Sequence, residues 1–148
     1  MSADDPYDLD RFVVAQRTSY ERALGEIKAG RKHSHWMWYV FPQLAGLGFS
    51  ATSKRYAIKS LDEARAYLAH PILGPRLAQC ASAALAVEGR TAWEIFDSPD
   101  DVKLRSCATL FAAVAGRDSV FQRLLDKYFD GAPDSETLRL LEPKQRSQ

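Results

Sequence analysis

The sequence changes character within one segment, GRKHSHWMWYVFPQLAGLG, which spans residues 30–48. Its first part is basic and carries two histidines. A run of large apolar residues follows, and the segment ends in a loop of small residues. Gly30 closes the periodic pattern before it, and Pro42 closes the pattern after it, because the residue before a proline is disfavoured in the helical region. We therefore predict a helix end at Gly30 and a new helix that begins at Ser34.

Helical periodicity extends in both directions from this segment, and no stretch shows the alternation typical of a half-buried strand. Apolar residues spaced by three and four predict a first helix that starts after Asp8 or Asp10 and runs to Gly30. Ser60 and Thr91 each stand three residues before a glutamate, which is the pattern of a capping box. The segment 53–58 is compatible with helix or extended chain. The pattern predicts an all-α fold of six to eight helices, several of them short, with no sheet.

The chain has the size of one domain. Its 148 residues, 46% of them hydrophobic, suffice to bury a sizeable core. We expect one domain over residues 1–148, with an ordered core at about residues 8–141 and frayed termini. The N-terminal residues are acidic and form no apolar signal region, and no apolar run approaches the ~18 residues of a membrane span. We expect a cytoplasmic protein that does not enter membranes and is a monomer or weak dimer.

The net charge of +1 conceals an uneven distribution. The 35 residues 27–61 contain no acidic side chain, and residues 27–87 carry eight basic and two acidic groups, a net charge of +6. A neutral protein with a basic middle favours a local site for an anion over general adhesion to nucleic acid.

The predicted helix start at Ser34 is the first candidate for such a site. The N–H groups of a first helical turn have no partner inside the helix and attract anions, and Arg31, Lys32 and His33 stand just before it. The alternative is that these cations only cap the end of the first helix. His33 and His35 form an H-x-H pair, but His70 is the one further histidine, so we predict no metal site.

Two further segments carry groups that suit an anionic ligand. Lys54 and Arg55 follow a loop of small and hydroxyl residues that does not match the mononucleotide-binding motif, and this loop is alternatively an ordinary solvated one. Lys103, Ser106 and Thr109 recur at helical spacing, either along a polar cleft or along the solvent edge of a helix.

The strings DLDRFVVAQ, RKHSHWMWYVFPQLAGLGFS, SKRYAI, SLDEARAYLAHPILGPRL and DDVKLRSCATLFAAV occur in this order. Together they resemble the bacterial and fungal family called domain of unknown function 1810, over residues 8–141. The resemblance implies a compact, single-domain, all-helical fold. The family has no established activity, so the resemblance assigns no catalytic residue.

The family's strings coincide with the three candidate segments, which favours a single site. The predicted ligand-binding residues are Arg31, Lys32, His33, Ser34, His35, Trp36, Gln43, Lys54, Arg55, Lys103, Ser106 and Thr109.

These residues predict a basic cleft that binds a small phosphorylated or otherwise anionic ligand, nucleotide-like in character. The sequence names no cofactor and leaves open whether a reaction is catalysed. If one is, His33 and His35 are the best candidates for acid or base, because histidine titrates near neutrality. The alternatives are a nucleic-acid-binding module, whose affinity would fall steeply with salt, and a protein-interaction or structural domain without a ligand.

Overall fold

The computed structural model of the chain describes residues 5–142, and these residues form ten α-helices and no strand. The all-α prediction is therefore confirmed. The predicted fraying of the termini falls largely on residues 1–4 and 143–148, which lie outside the described residues. In chain order the helices are α1 Asp10–Gln16, α2 Tyr20–Lys28, α3 Met37–Val40, α4 Ala51–Arg55, α5 Leu61–Ala69, α6 Leu73–Ala86, α7 Ala92–Phe96, α8 Asp100–Ala115, α9 Val120–Phe129 and α10 Ser135–Leu141.

The predicted number of six to eight helices was too low for two reasons. The predicted first helix is interrupted between α1 and α2, where the Ser19 hydroxyl donates to the Ala15 carbonyl at 2.9 Å. Such local side-chain bonds compete with the helical ladder. The second addition is α4, which begins where the Ser50 hydroxyl accepts a hydrogen bond from the Ser53 N–H at 3.0 Å.

Several helix starts lie where the sequence predicts them. Ser60 accepts from the Glu63 N–H at 3.0 Å, and Thr91 forms a complete capping box with Glu94. Ser119 caps α9. The start predicted at Ser34 is wrong, because α3 begins only at Met37 and no side chain caps it.

The core surrounds α8, which packs against α5, α7, α9 and α10. Buried aromatic rings link the helices across it. The ring centroids of Phe12 and Tyr67 lie 5.1 Å apart, and those of Tyr67 and Phe111 lie 5.5 Å apart. Phe111 in turn lies 5.6 Å from Phe121. Most of the aromatic run after His35 belongs to this core as well, as the helical spacing predicts. Within residues 5–142, no helix has both the length and the apolar character needed to cross a bilayer.

A short backbone pairing shapes the loop between α3 and α4. Leu44 and Ile58 form an isolated parallel bridge, in which the Ile58 N–H donates to the Gln43 carbonyl and the Ala45 N–H donates to the Ile58 carbonyl, both at 2.8 Å. The bridge holds the loop after α3 against the chain that leaves α4. These two segments form the walls of the cleft described below.

Arg11 fixes the same region from inside. Its guanidinium pairs with Glu63 at 2.8 Å, and both side chains are almost completely buried. The remaining donors of Arg11 go to the carbonyls of Tyr7, Asp8, Arg55 and Ala57. One buried cation therefore ties the segment before α1 to α5 and to the chain after α4.

Candidate functional site

The turn at Ser34 binds an anion, and that anion is a side chain of the protein itself. The Glu26 carboxylate, from the last turns of α2, accepts hydrogen bonds from the backbone N–H groups of His33 and Ser34 at 2.8 and 3.0 Å. It also accepts from the Ser34 hydroxyl at 2.7 Å and from the indole N–H of Trp36 at 2.9 Å. Ser34 and Trp36, both predicted as ligand-binding residues, therefore have their donors occupied by Glu26.

Glu26 is held in its charged form by this turn. Burial by itself raises the pKa of the carboxyl, but the hydrogen bonds from His33, Ser34 and Trp36 outweigh it and lower the pKa to about 2. Hydrogen bonds to a carboxylate favour the ionised state in this way. An external anion would have to displace a carboxylate that already satisfies these donors.

Lys32 and Lys103 also meet an acidic partner that is distant in sequence. Asp100, at the start of α8, lies 2.8 Å from the Lys32 ammonium and 3.4 Å from that of Lys103. The two ammonium groups lie 4.9 Å and 5.0 Å from the ring centroids of Trp36 and Trp38. Residues 27–61 thus contain no acidic side chain in sequence, but in the folded chain an acidic residue from α8 lies beside Lys32.

Ser106 and Thr109 are buried in the packed interior and do not line the cleft that Lys103 lines. Their hydroxyls donate to carbonyls of their own helix, at Val102 and Arg105, and both residues are buried. Steps of three residues on an α-helix fall about 60° short of a full turn, so the row that begins at Lys103 rotates into the core.

A small candidate pocket lies beside the bridge between Leu44 and Ile58; we call it the lysine cleft. Its volume is about 100 Å³. The loop 44–48 and α4 face each other across it, and they meet where Gly48 approaches Ser53 so closely that a Cβ on Gly48 would stand 2.6 Å from the Ser53 side chain. Its polar lining comes from Trp38, Gln43, Ser53, Lys54, Tyr56 and Lys59.

The polar groups of the lysine cleft are mostly hydrogen-bond donors without a partner. Within residues 5–142, the Trp38 indole N–H, the Gln43 amide and the ammonium groups of Lys54 and Lys59 form no hydrogen bond or ion pair. Among residues 5–142, no carboxylate lines the cleft. Lys54 and Lys59 are exposed, so the lining of the cleft includes two positive charges.

A second, wider pocket adjoins the first; we call it the histidine cleft. It has a volume of about 340 Å³, and its polar lining comes from Lys32, His33, His35, Trp38, Asp97, Ser98, Asp100 and Lys103. Both histidine side chains are exposed, and the Trp38 indole lines both clefts. This cleft contains both charges, so it differs chemically from the lysine cleft.

Asp97 stands at the edge of the histidine cleft in a strained conformation. Its φ of 64° and ψ of 170° fall in a region that is almost reserved for glycine, at a cost of about 1–3 kcal/mol. Its backbone is held by bonds to the Trp93 carbonyl at 2.8 Å and from the Asp101 N–H at 2.9 Å. The side chain is exposed and accepts from the Ser98 N–H alone within the described chain. Strain of this kind is concentrated at functional sites, which makes Asp97 a candidate.

The remaining predicted residues lie elsewhere. Arg31 lines a third cleft of about 290 Å³ together with Arg90 and the exposed Trp93. The Arg55 guanidinium is exposed and lies 5.4 Å from the Tyr56 ring centroid, outside the lining of the lysine cleft. Gln43 and Lys54 thus line one cleft, and Lys32, His33, His35 and Lys103 line its neighbour, so the residues predicted for a single site are divided between two clefts.

Sequence reasoning missed Lys59, Asp97 and the role of Glu26. Lys59 belongs to the acid-free stretch, and that charge pattern could have identified it. Asp97 precedes a serine and a proline in a stretch typical of a helix start, and nothing in that pattern distinguishes it. Among residues 5–142, no group of three or more histidine, cysteine, aspartate or glutamate side chains is arranged to hold a metal ion.

Comparison with known proteins identifies relatives without an assigned activity. The chain is similar to the conserved hypothetical protein Rv1873 from Mycobacterium tuberculosis, whose crystal structure aligns with a TM-score of 0.89 at 52% sequence identity and covers 93% of this chain and 98% of that chain. No curated protein matches. Residues 6–141 match the family described as "Protein of unknown function (DUF1810)". The chain therefore belongs to that family, as the motifs in its sequence indicate.

Proposed function

We propose that this protein binds a small anionic group, a phosphate or a carboxylate, in the lysine cleft. The observation that carries the proposal is the lining itself: Lys54, Lys59, Trp38 and Gln43 line one cavity, and no carboxylate of residues 5–142 lines it. Charge-assisted hydrogen bonds from ammonium groups are about twice as strong as neutral ones, so Lys54 and Lys59 supply most of the affinity.

Three residues predicted to bind the anion already have partners within the protein. Lys32 and Lys103 are paired with Asp100, and the donors at Ser34 are occupied by Glu26. The proposal therefore moves the anion from the turn at Ser34 to a cleft on the other side of Trp38.

The size of the cleft favours a small group over nucleic acid. A nucleic-acid interface needs basic residues spread along a surface that follows several phosphates. The lysine cleft is concave and has room for little more than one anionic group at about 100 Å³. We therefore give small anions precedence over oligonucleotides.

The test is a calorimetric titration of the protein with inorganic phosphate and with acetate. We expect phosphate to bind, and we expect K54Q and K59Q each to weaken binding by about tenfold, since a hydrogen bond to a charged group contributes about 1.5–3 kcal/mol. The matched control is K28Q, which neutralises an exposed lysine in the last turn of α2, outside the cleft.

Two results would contradict the proposal. One is a double variant, K54Q/K59Q, that binds phosphate as tightly as the wild type. The other is a labelled oligonucleotide that binds with much higher affinity than phosphate, loses that affinity steeply with salt and is unaffected by K54Q/K59Q.

A further inference from the structure

The lysine cleft is too small to hold a whole metabolite. Pockets that enclose a small-molecule ligand have volumes of about 300–1,000 Å³. The lysine cleft measures about 100 Å³, whereas the adjoining histidine cleft measures about 340 Å³. A ligand whose anionic end occupies the first cleft therefore has to extend out of it.

The two clefts share one side chain, Trp38, in their linings. Trp38 is only partly buried and keeps its indole N–H free within the described residues. A ligand long enough to pass the Trp38 ring would contact both clefts. Treated as one binding surface, they have a cationic end and a mixed end.

The mixed end has the chemistry that recognises hydroxyl groups. The Asp97 carboxylate accepts hydrogen bonds only, and its one partner within residues 5–142 is the neighbouring Ser98 N–H. His33 and His35 are exposed, and a neutral imidazole both donates and accepts. Hydroxyls match such a lining because they also donate and accept, whereas an anion beside Asp97 would meet a carboxylate that has no cationic partner within residues 5–142.

A nucleobase fits this surface less well. The Lys103 ammonium lies 5.0 Å from the centroid of the Trp38 ring, and Tyr39 lies against the same indole at 6.1 Å with a tilt of 45°. These neighbours occupy part of the ring surface on which a base would stack. A compact chain or ring of hydroxyl-bearing carbons needs no flat platform of that kind.

We infer that the ligand is a phosphorylated sugar or polyol whose phosphate lies in the lysine cleft and whose hydroxyls are bound in the histidine cleft by Asp97 and His35. This inference rests on the proposed function, because it extends the same anion site. It assigns Asp97, whose backbone is strained, a direct role in binding.

The experiment is a calorimetric titration of the full chain with inorganic phosphate, ribose 5-phosphate, glucose 6-phosphate, glycerol 3-phosphate and adenosine 5′-monophosphate. We expect at least one of the three sugar or polyol phosphates to bind about tenfold more tightly than inorganic phosphate, as two or three added hydrogen bonds allow. D97N and H35Q should each remove most of that gain and leave the affinity for inorganic phosphate unchanged.

The control for D97N is D130N. Asp130 is also exposed and also has a positive φ, of 55°, but it caps the end of α9. Asparagine tolerates positive φ as readily as aspartate, so both variants are expected to fold. D130N should bind every probe as the wild type does.

The outcomes separate the two proposals. If inorganic phosphate binds in a manner that depends on Lys54 but none of the three organic phosphates binds more tightly, the inference fails and the proposed function stands. The inference also fails if the gain survives D97N and H35Q, or if adenosine 5′-monophosphate binds tenfold more tightly than every sugar phosphate. If no phosphate binds but acetate does, the inference fails and the proposed function stands for carboxylates; if neither binds, both fail.

Discussion

Glu26 organises the loop between α2 and α3. Its carboxylate accepts two backbone N–H groups, one hydroxyl and the indole N–H of the buried Trp36. Trp36 is buried, and a buried donor without a partner costs about 1–3 kcal/mol. The residue therefore fixes the position of the chain that leads into the histidine cleft.

The substitution E26Q should lower the free energy of unfolding by about 2 kcal/mol at pH 7, because it replaces hydrogen bonds to a charged acceptor with weaker ones. The measurement is urea denaturation of the wild type and the variant. The control E21Q removes an exposed carboxylate from the same helix and should change stability by no more than about 0.5 kcal/mol.

The loss caused by E26Q should depend on pH in a defined direction. The pKa of Glu26 is lowered from 4.5 to about 2, so the folded state resists protonation and the stabilisation is complete above about pH 5. It should be lost as the pH falls from about 5 towards 2, where the difference between wild type and E26Q should vanish. A difference that stays constant over this range would contradict the assignment.

The sequence led to several residues that line the two clefts. Charge led to Lys54 and the family's strings added Gln43, and both line the lysine cleft; His33, His35 and Lys103 line its neighbour. It could not identify the acidic partners, because Glu26 lies in the preceding helix and Asp100 lies far along the chain. The packing of the helices determines which charge lies nearest to a residue, so the local sequence does not predict it.

At the scale of the elements, the contact between α5 and α6 depends on a glycine. Gly74 lies in the first turn of α6, and a Cβ there would stand 2.1 Å from the Leu68 carbonyl oxygen of α5. Backbone atoms cannot move aside as a flexible side chain can. The turn between these helices therefore has no room for a larger residue at this position.

Substitution G74A should destabilise the fold by about 3 kcal/mol, the upper part of the range for overpacking. The matched variant is G25A, in the middle of α2, where a Cβ meets nothing within 4 Å. It should stabilise the fold by up to about 1 kcal/mol, since alanine is the better helix former. Thermal unfolding should show a lower melting temperature for G74A and an equal or higher one for G25A. Melting temperatures that shift in the same direction would contradict this account of the α5–α6 contact.

Capping residues in the sequence predicted where helices start better than the periodic pattern predicted where one helix is interrupted. Capping residues at Ser60, Thr91 and Ser119 are visible in sequence because a cap is a contact between near neighbours. The division between α1 and α2 was not predicted, because beside the local bond of Ser19 it involves Gln16, which is buried and donates to the Tyr39 carbonyl of α3 at 2.6 Å. A contact across 23 residues leaves no trace in a periodic pattern.

At the scale of the whole molecule, the buried pair of Arg11 and Glu63 joins the N-terminal segment to the wall of the lysine cleft. Arg11 donates to the Arg55 and Ala57 carbonyls, and Ala57 lines that cleft. Removal of one partner from a buried ion pair leaves an uncompensated charge, which costs about 3–5 kcal/mol.

We therefore expect R11M to lose about 3–5 kcal/mol of stability, and R11M/E63M to lose less than the sum of the two single variants. The comparison pair is Arg65 and Asp62, which is exposed on α5 at 2.8 Å, and R65Q should change stability by less than about 1 kcal/mol. Chemical denaturation gives all of these values. An R11M variant as stable as R65Q would show that the buried pair does not hold the molecule together.

The central claim, that an anionic group binds beside Trp38, is tested most directly by the indole N–H signals of the protein in solution. The chain has three tryptophans, so a nitrogen-labelled sample gives three such signals, and W38F identifies the one from Trp38 by its loss. Trp36 is buried with its N–H bound to Glu26, and Trp93 is exposed beside the third cleft, so both are internal controls.

Titration with inorganic phosphate should shift the Trp38 signal until it saturates and leave those of Trp36 and Trp93 in place. In K54Q/K59Q the same titration should leave all three signals unmoved. A Trp38 signal that does not respond to phosphate in the wild type, or that moves equally with that of Trp93, would contradict the claim.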